Sequence, residues 1–124
     1  IDEAEFRLLV KDSTSDVKKL IFKNKYKFRK YKHVIITQGK TGCYLVNSHK
    51  IKFIPTIINQ RLDTTGAGDI FLAMFSYLKL NMDLNLEEIS IISHVAAGIH
   101  SNQLANRYDL GKINLLKVLG IIFK

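Results

Sequence analysis

Between residues 63 and 75 the chain reads Asp63-Thr64-Thr65-Gly66-Ala67-Gly68-Asp69 and runs straight into the apolar string Ile70-Phe71-Leu72-Ala73-Met74-Phe75. Two glycines and an alanine at a helix start leave backbone N–H groups uncovered. Unpaired amides and the positive end of the helix macrodipole attract an anion there. A carboxylate beside such a turn repels that anion, so a pure phosphate-binding loop has little use for Asp69. Phosphoryl transfer does have a use for it, because one carboxylate can orient an attacking hydroxyl and accept its proton. The amides of Ala67, Gly68 and Asp69 then face the oxygens of the transferring group as preorganised donors. The plainer reading is that Thr65 or Asp69 caps the helix, since acidic residues are favoured in a first turn.

Three other segments fall into order around this one. Upstream lies Ile36-Thr37-Gln38-Gly39-Lys40-Thr41-Gly42, and downstream Ser93-His94-Val95-Ala96-Ala97-Gly98-Ile99. Near the start stands Asp2-Glu3-Ala4-Glu5-Phe6-Arg7-Leu8-Leu9. Together with the seven residues 63–69, these resemble the signature segments of the ribokinase (PfkB-type) family of carbohydrate kinases, over a span from Asp2 to about Asn106. The resemblance implies that Asp69 is the catalytic base, with Gly66, Ala67 and Gly68 forming the anion hole. It also implies that Thr37, Gly39 and Gly42 lie along the nucleotide phosphates, and that the helix of His94 and Ala97 borders the adenine. Glu5 would act indirectly on magnesium, and Asp63 and Thr65 would help form a monovalent-cation site. The cofactors implied are ATP, Mg2+ and, at that last site, K+.

The chain departs from the family pattern in three places. The usual Asn-x-x-Glu reads Asp2-x-x-Glu5, exchanging an amide that can donate for an acceptor-only carboxylate. After the Ala-rich helix, Leu104-Ala105-Asn106-Arg107 stands where a glycine usually shapes the cation loop; Asn106 tolerates the left-handed region better than Ala105 does. Family members are also typically about twice as long, and no evident sugar-binding group is present. The chain therefore reads as the C-terminal half of such a kinase, residues 1–124 forming one nucleotide-binding portion without the sugar-binding half and lid, and inactive by itself. A truncated, non-catalytic remnant that binds nucleotide or a partner is the alternative.

Composition sets looser bounds. The 124 residues are 47% hydrophobic, enough for a single domain with a core. The longest apolar runs, such as Leu115 to Phe123 with Lys117 inside it, are too short for a bilayer, and the start shows no signal peptide, so a cytoplasmic protein with no membrane partner is expected. Cys43, the only cysteine, permits no internal disulfide and is expected to be buried. The net charge of +8 suits an acidic ligand, ATP among them. From Lys18 to Lys32 bases interleave with aromatics, as in single-strand binders. A solvated helix face with Val17, Leu20, Ile21 and Phe28 turned inward accounts for the same pattern, and nucleic acid is not expected as a partner.

The pattern predicts a helix started by Ser13 or Ser15 with Asp16 and running to about Lys25, a strand at 33–37, a hairpin of strands at 43–46 and 51–54 ended by Pro55, a helix over 68–80, another over 86–100, and a short one from about Lys112 to Leu119 stopped by Gly120. This order suits an α/β protein: half of a ribokinase-like three-layer α/β/α fold, with a hairpin and paired helices around the anion hole. Gly39-Lys40-Thr41 mimics the end of a Walker A loop, but Val34 stands at its first glycine position and a strand follows. Gly66-x-Gly68 fails as a dinucleotide fingerprint because Phe71 takes the third glycine position. His33, His49, His94 and His100 have no metal-ligand spacing, and His94 reads either as an adenine neighbour or as a water-bonded surface histidine. The acceptor is expected to be a sugar or sugar phosphate. Glu3-Ala4-Glu5-Phe6 with Val95-Ala96-Ala97-Gly98-Ile99 looks most similar to the heptose-phosphate kinases of lipopolysaccharide synthesis. The remaining partner expected is the N-terminal half or a second copy of the chain.

Overall fold

The computed structural model describes residues 1–47, 50–57, 66–102, 116, 117 and 120. The chain divides into two compact units, Ile1–Ile54 and Pro55–Lys124.

The first unit begins with a feature that the periodicity did not announce. Asp2 is the N-cap of helix α1 (Glu3–Val10), its carboxylate accepting from the Glu5 N–H at 2.8 Å, while Glu5 Oε2 accepts from the Asp2 N–H at 3.0 Å. This reciprocal capping box satisfies two donors that a helix end otherwise leaves open. Lys11 closes the helix in the left-handed region, at φ 57°. Asp12 then accepts from the backbone N–H groups of Ser15 and Thr14 and from the Ser15 hydroxyl. These bonds, the Ser15 amide's above all, hold the Asp12 carboxyl below its ordinary pKa.

Helix α2 (Val17–Asn24) is capped by Asp16, which accepts from the Lys19 N–H at 2.9 Å, and tightens into a 3-10 turn over Lys25–Phe28. The expected inward face is present: Val17, Leu20, Ile21 and Phe28 are buried with Phe6, Ile36 and Val46 in one cluster. Removing a side chain of that size from water is worth about 1.5–3 kcal/mol. Phe6 and Phe28 meet at 5.8 Å between ring centroids, joining α1 to the 3-10 turn.

Strands β1 (Val34–Thr37), β2 (Gly42–Val46) and β3 (Ile51–Pro55) form a sheet in that order. β1 and β2 are antiparallel, with Ile35 opposite Leu45 and Thr37 opposite Cys43. Cys43 is buried, as expected. β2 is the middle strand and is buried at four of its five residues, which explains its apolar run without alternation. On the other edge of β1, the start of the chain runs parallel: the Thr37 N–H donates to the Ile1 carbonyl at 3.1 Å, and Asp2 bridges to Thr37.

The second unit is a helix pair. α3 (Ala67–Asn81) and α4 (Leu86–Ser101) are antiparallel: Gly66, at the start of α3, lies by His100, near the end of α4, and Phe71 packs on His94. Asn85 caps α4 and completes a second capping box with Glu88. Ser90, Ser93 and Ser101 are fully buried, yet each hydroxyl donates to the carbonyl four residues back in its own helix. That self-satisfaction lets polar residues occupy the buried face without a partner elsewhere. The predicted helix from Lys112 to Leu119 lies outside the described residues except Leu116 and Lys117, which are helical; Gly120, expected to stop it, is itself helical.

The capping box makes a specific prediction. Asp2→Ala should lower stability to chemical denaturation by about 1 kcal/mol, whereas Asp2→Asn, which keeps an acceptor, should cost only a few tenths.

Candidate anion site

The four α-helices whose starts lie among the described residues begin differently. α1, α2 and α4 engage their first-turn amides with the side chains of Asp2, Asp16 and Asn85. α3 starts at Gly66, and no side chain caps it among the described residues. The first bond of its ladder runs from the Ile70 N–H to the Gly66 carbonyl at 3.0 Å, so the amides of Ala67, Gly68 and Asp69 have no intrahelical acceptor. Gly66 holds the cap position, so Asp69 makes no capping bond; it stands exposed in the first turn, where an acidic residue is favoured, and Thr65, the other capping candidate, lies outside the described residues.

The two glycines of this turn have different grounds. Gly66 adopts φ 75°, a conformation that costs a residue with a Cβ roughly 1–2 kcal/mol, and a Cβ there would lie 3.3 Å from His100 Nε2. Gly68 is helical and exposed, and a Cβ on it would meet no described atom within 4 Å. A helical glycine costs about 1 kcal/mol relative to alanine, and nothing described within the chain requires this one. Its missing side chain leaves the helix end uncovered on that side.

α4 lines the flank of this turn. His94, expected at a helix surface or against a base, is only 3% exposed, which corrects the surface reading. Its Nδ1 lies 2.9 Å from the Ser90 carbonyl, an acceptor, so that nitrogen carries the proton. The ring stands edge-on to Phe71, with centroids 4.8 Å apart. Ala97 is buried as well. His100, which sequence reasoning passed over, is the side chain next to Gly66; only the helix pairing brings residues 66 and 100 together.

Of the other predicted residues, Glu5, Thr37, Gly39 and Gly42 lie in the first unit. Thr37 ends β1, and Gly39 and Gly42 flank the turn into β2, with φ 52° and 141° that both favour glycine. The Gln38 N–H closes the turn on the Gly42 carbonyl at 2.8 Å, and the Thr41 N–H and hydroxyl both donate to the Gln38 carbonyl. Gln38 Nε2 donates to Glu3 Oε2 at 2.6 Å, Glu3 Oε1 pairs with Arg7 at 2.8 Å, and Arg7 Nη1 reaches the Ser15 carbonyl at 3.0 Å. This chain of bonds fixes the turn to α1; neither Glu3 nor Gln38 was singled out by motif. Glu5 is exposed with one oxygen in the capping box. Asp63 and Thr65 lie outside the described residues. No group of three metal-ligating side chains occurs among the described residues, and no described helix is long and apolar enough to cross a membrane.

Comparison with known proteins bears on family and fold. The family model of the pfkB family carbohydrate kinases matches residues 1–105. A Mycoplasma genitalium protein provisionally named 1-phosphofructokinase is 34% identical over 97 residues, covering 77% of this chain and 32% of that protein. The crystal structure of a Thermotoga maritima ribokinase superposes with a TM-score of 0.80 at 30% identity, over 96% of this chain and 40% of that one. The Arabidopsis thaliana ribokinase complexed with ribose and ATP gives 0.79 at 26% identity, over 95% and 39%. The chain belongs to the pfkB family of carbohydrate kinases, with a ribokinase-like α/β fold, and spans well under half the length of these relatives.

The contrast between the two glycines is directly testable by chemical denaturation. Gly66→Ala should lose about 1–2 kcal/mol, while Gly68→Ala should hold or gain up to about 1 kcal/mol.

Proposed function

We propose that this chain is the nucleotide- and phosphate-handling portion of an ATP-dependent sugar kinase. The observation that carries the reading is the start of α3, where uncapped amides, a glycine with no described internal reason and an exposed carboxylate coincide.

In this reading, the amides of Ala67, Gly68 and Asp69 hold the oxygens of the γ-phosphoryl group as negative charge spreads over them. Asp69 orients the acceptor hydroxyl and takes its proton. The hydroxyl oxygen bonds to phosphorus, the bond to the bridging oxygen of ADP breaks, and ADP leaves. The family resemblance assigns Thr37, Gly39 and Gly42 to the nucleotide phosphates and the helix of His94 and Ala97 to the base; both of these side chains are buried, His94 against Ser90 and Phe71. Mg2+ would enter on the nucleotide, retaining waters and neutralising phosphate charge. The exposed Glu5 fits an indirect role of that kind, since one of its oxygens is not used in the capping box. Asp63 and Thr65 would serve K+.

The acceptor we assign is a sugar or sugar phosphate. Ribose is bound by the Arabidopsis relative, and the similarity of Glu3–Phe6 and Val95–Ile99 to heptose-phosphate kinases supports a phosphorylated acceptor. The hydroxyl must be delivered by a sugar-binding portion, the N-terminal half or a second copy, in a cytoplasmic setting. Exposed Leu72, Tyr77 and Leu80 on α3 offer apolar surface for such a neighbour.

The test is sugar-dependent ADP release by this chain combined with a sugar-binding N-terminal half. Asp69→Asn should lower turnover by at least ~10²-fold while leaving ATP affinity largely intact. Turnover near that of the parent would remove Asp69 from the role of base, and a stable complex without any turnover would mark the chain as a non-catalytic remnant. Glu5→Gln should keep the capping box and stability yet weaken the magnesium dependence of ATP binding; an unchanged dependence would leave Glu5 a cap alone.

A further inference from the structure

The segment from Val17 to Lys32 contains eight cations, Lys18, Lys19, Lys23, Lys25, Lys27, Arg29, Lys30 and Lys32, and no carboxylate. The chain has 19 Lys and Arg against 11 Asp and Glu, so the remaining cations balance the carboxylates and this one segment accounts for the whole net charge of +8. All eight cations are exposed, and none pairs with a carboxylate among the described residues. Burial of Val17, Leu20, Ile21 and Phe28 explains the inward face but leaves three aromatics outside: Phe22, Tyr26 and Tyr31 are 65%, 56% and 52% exposed. Lys25 Nζ stands 5.1 Å from the Phe22 ring centroid and Lys30 Nζ 5.0 Å from that of Tyr31, so charge and π-face are presented together. Beside them a cleft of about 180 Å³ opens between the 3-10 turn and the end of β2, lined by Lys25, Phe28, Arg29, Tyr31, Val46 and Asn47.

We propose that this surface binds single-stranded nucleic acid, separately from the phosphate chemistry of α3. Lysines and arginines without counter-charges follow a phosphate backbone, and exposed rings provide stacking faces for unpaired bases. The cleft, with a tyrosine wall and a cationic rim, takes one base. An acidic peptide would use the charge but not the aromatics. A duplex offers no unstacked base to them.

The experiment is fluorescence anisotropy of a labelled oligothymidylate of about fifteen nucleotides titrated with this chain. The expected dissociation constant at physiological salt is about 1–100 micromolar, weakening steeply as salt rises. Combining Tyr26→Ala with Tyr31→Ala, both exposed and outside the core, should weaken binding at least about tenfold and leave ATP affinity unchanged. Lys25→Gln and Arg29→Gln should each flatten the salt slope by about 0.7. Absence of binding at low salt overturns the proposal, as does binding indifferent to the two tyrosines. It is also overturned if polyglutamate or phosphatidylserine vesicles bind as tightly as the strand, which would make the surface a docking site for an acidic protein or a membrane.

Discussion

The chemistry assigned to this chain depends on hydrogen-bond donors that the fold leaves unused. A helix start exposes amides without intrahelical acceptors, and α1, α2 and α4 each engage at least one of theirs with Asp2, Asp16 and Asn85. α3 instead places Gly66 at its cap in the left-handed region, against the ring of His100. The site is thus made partly by omission: among the described residues no side chain caps the helix, and residue 68 carries none. Each omission has a local cost, about 1 kcal/mol for an absent cap and a similar amount for a helical glycine. The extensive pairing of α3 with α4 offsets that cost, because Phe71, Phe75, Leu78, Ile89 and Val95 are buried in the unit.

The first unit builds its turn by the opposite strategy, leaving little unsatisfied. Gln38, Glu3, Arg7 and Ser15 form a continuous run of charge-assisted bonds from the β1–β2 turn through α1 to the loop before α2. The Asp2–Glu5 box fixes the start of the same helix. Gly39 and Gly42 contribute backbone angles that a residue with a Cβ resists. In the proposed role beside a polyphosphate, a turn held in this way before the ligand arrives leaves less ordering to be done on binding.

Much of this was legible in the sequence because it rests on local rules. The apolar spacing of Val17, Leu20 and Ile21 marked α2, the glycines at 39 and 42 marked the turn, and the 63–69 segment marked both helix start and family. What escaped was either double in meaning or non-local. Asp2-x-x-Glu5 is a capping box as well as a family motif, and the motif concealed the helix signal. His100 reaches Gly66 only because two helices run antiparallel, a contact that no spacing announces. His94 stood open between an adenine neighbour and a surface residue; the hydroxyls of Ser90 and Ser93 turn back onto their own helix and make that face compatible with burial.

The claim on which the rest turns is that the first-turn amides of α3 receive the anionic end of the nucleotide. It is tested most directly by titrating the isotopically labelled chain with ATP and following its backbone amides by heteronuclear NMR. The account predicts saturable shifts that are largest at Ala67, Gly68 and Asp69 and are abolished when Gly66 carries a side chain. Saturation with ATP that leaves those three amides in place and moves only the lysine-rich segment from 18 to 32 would contradict it.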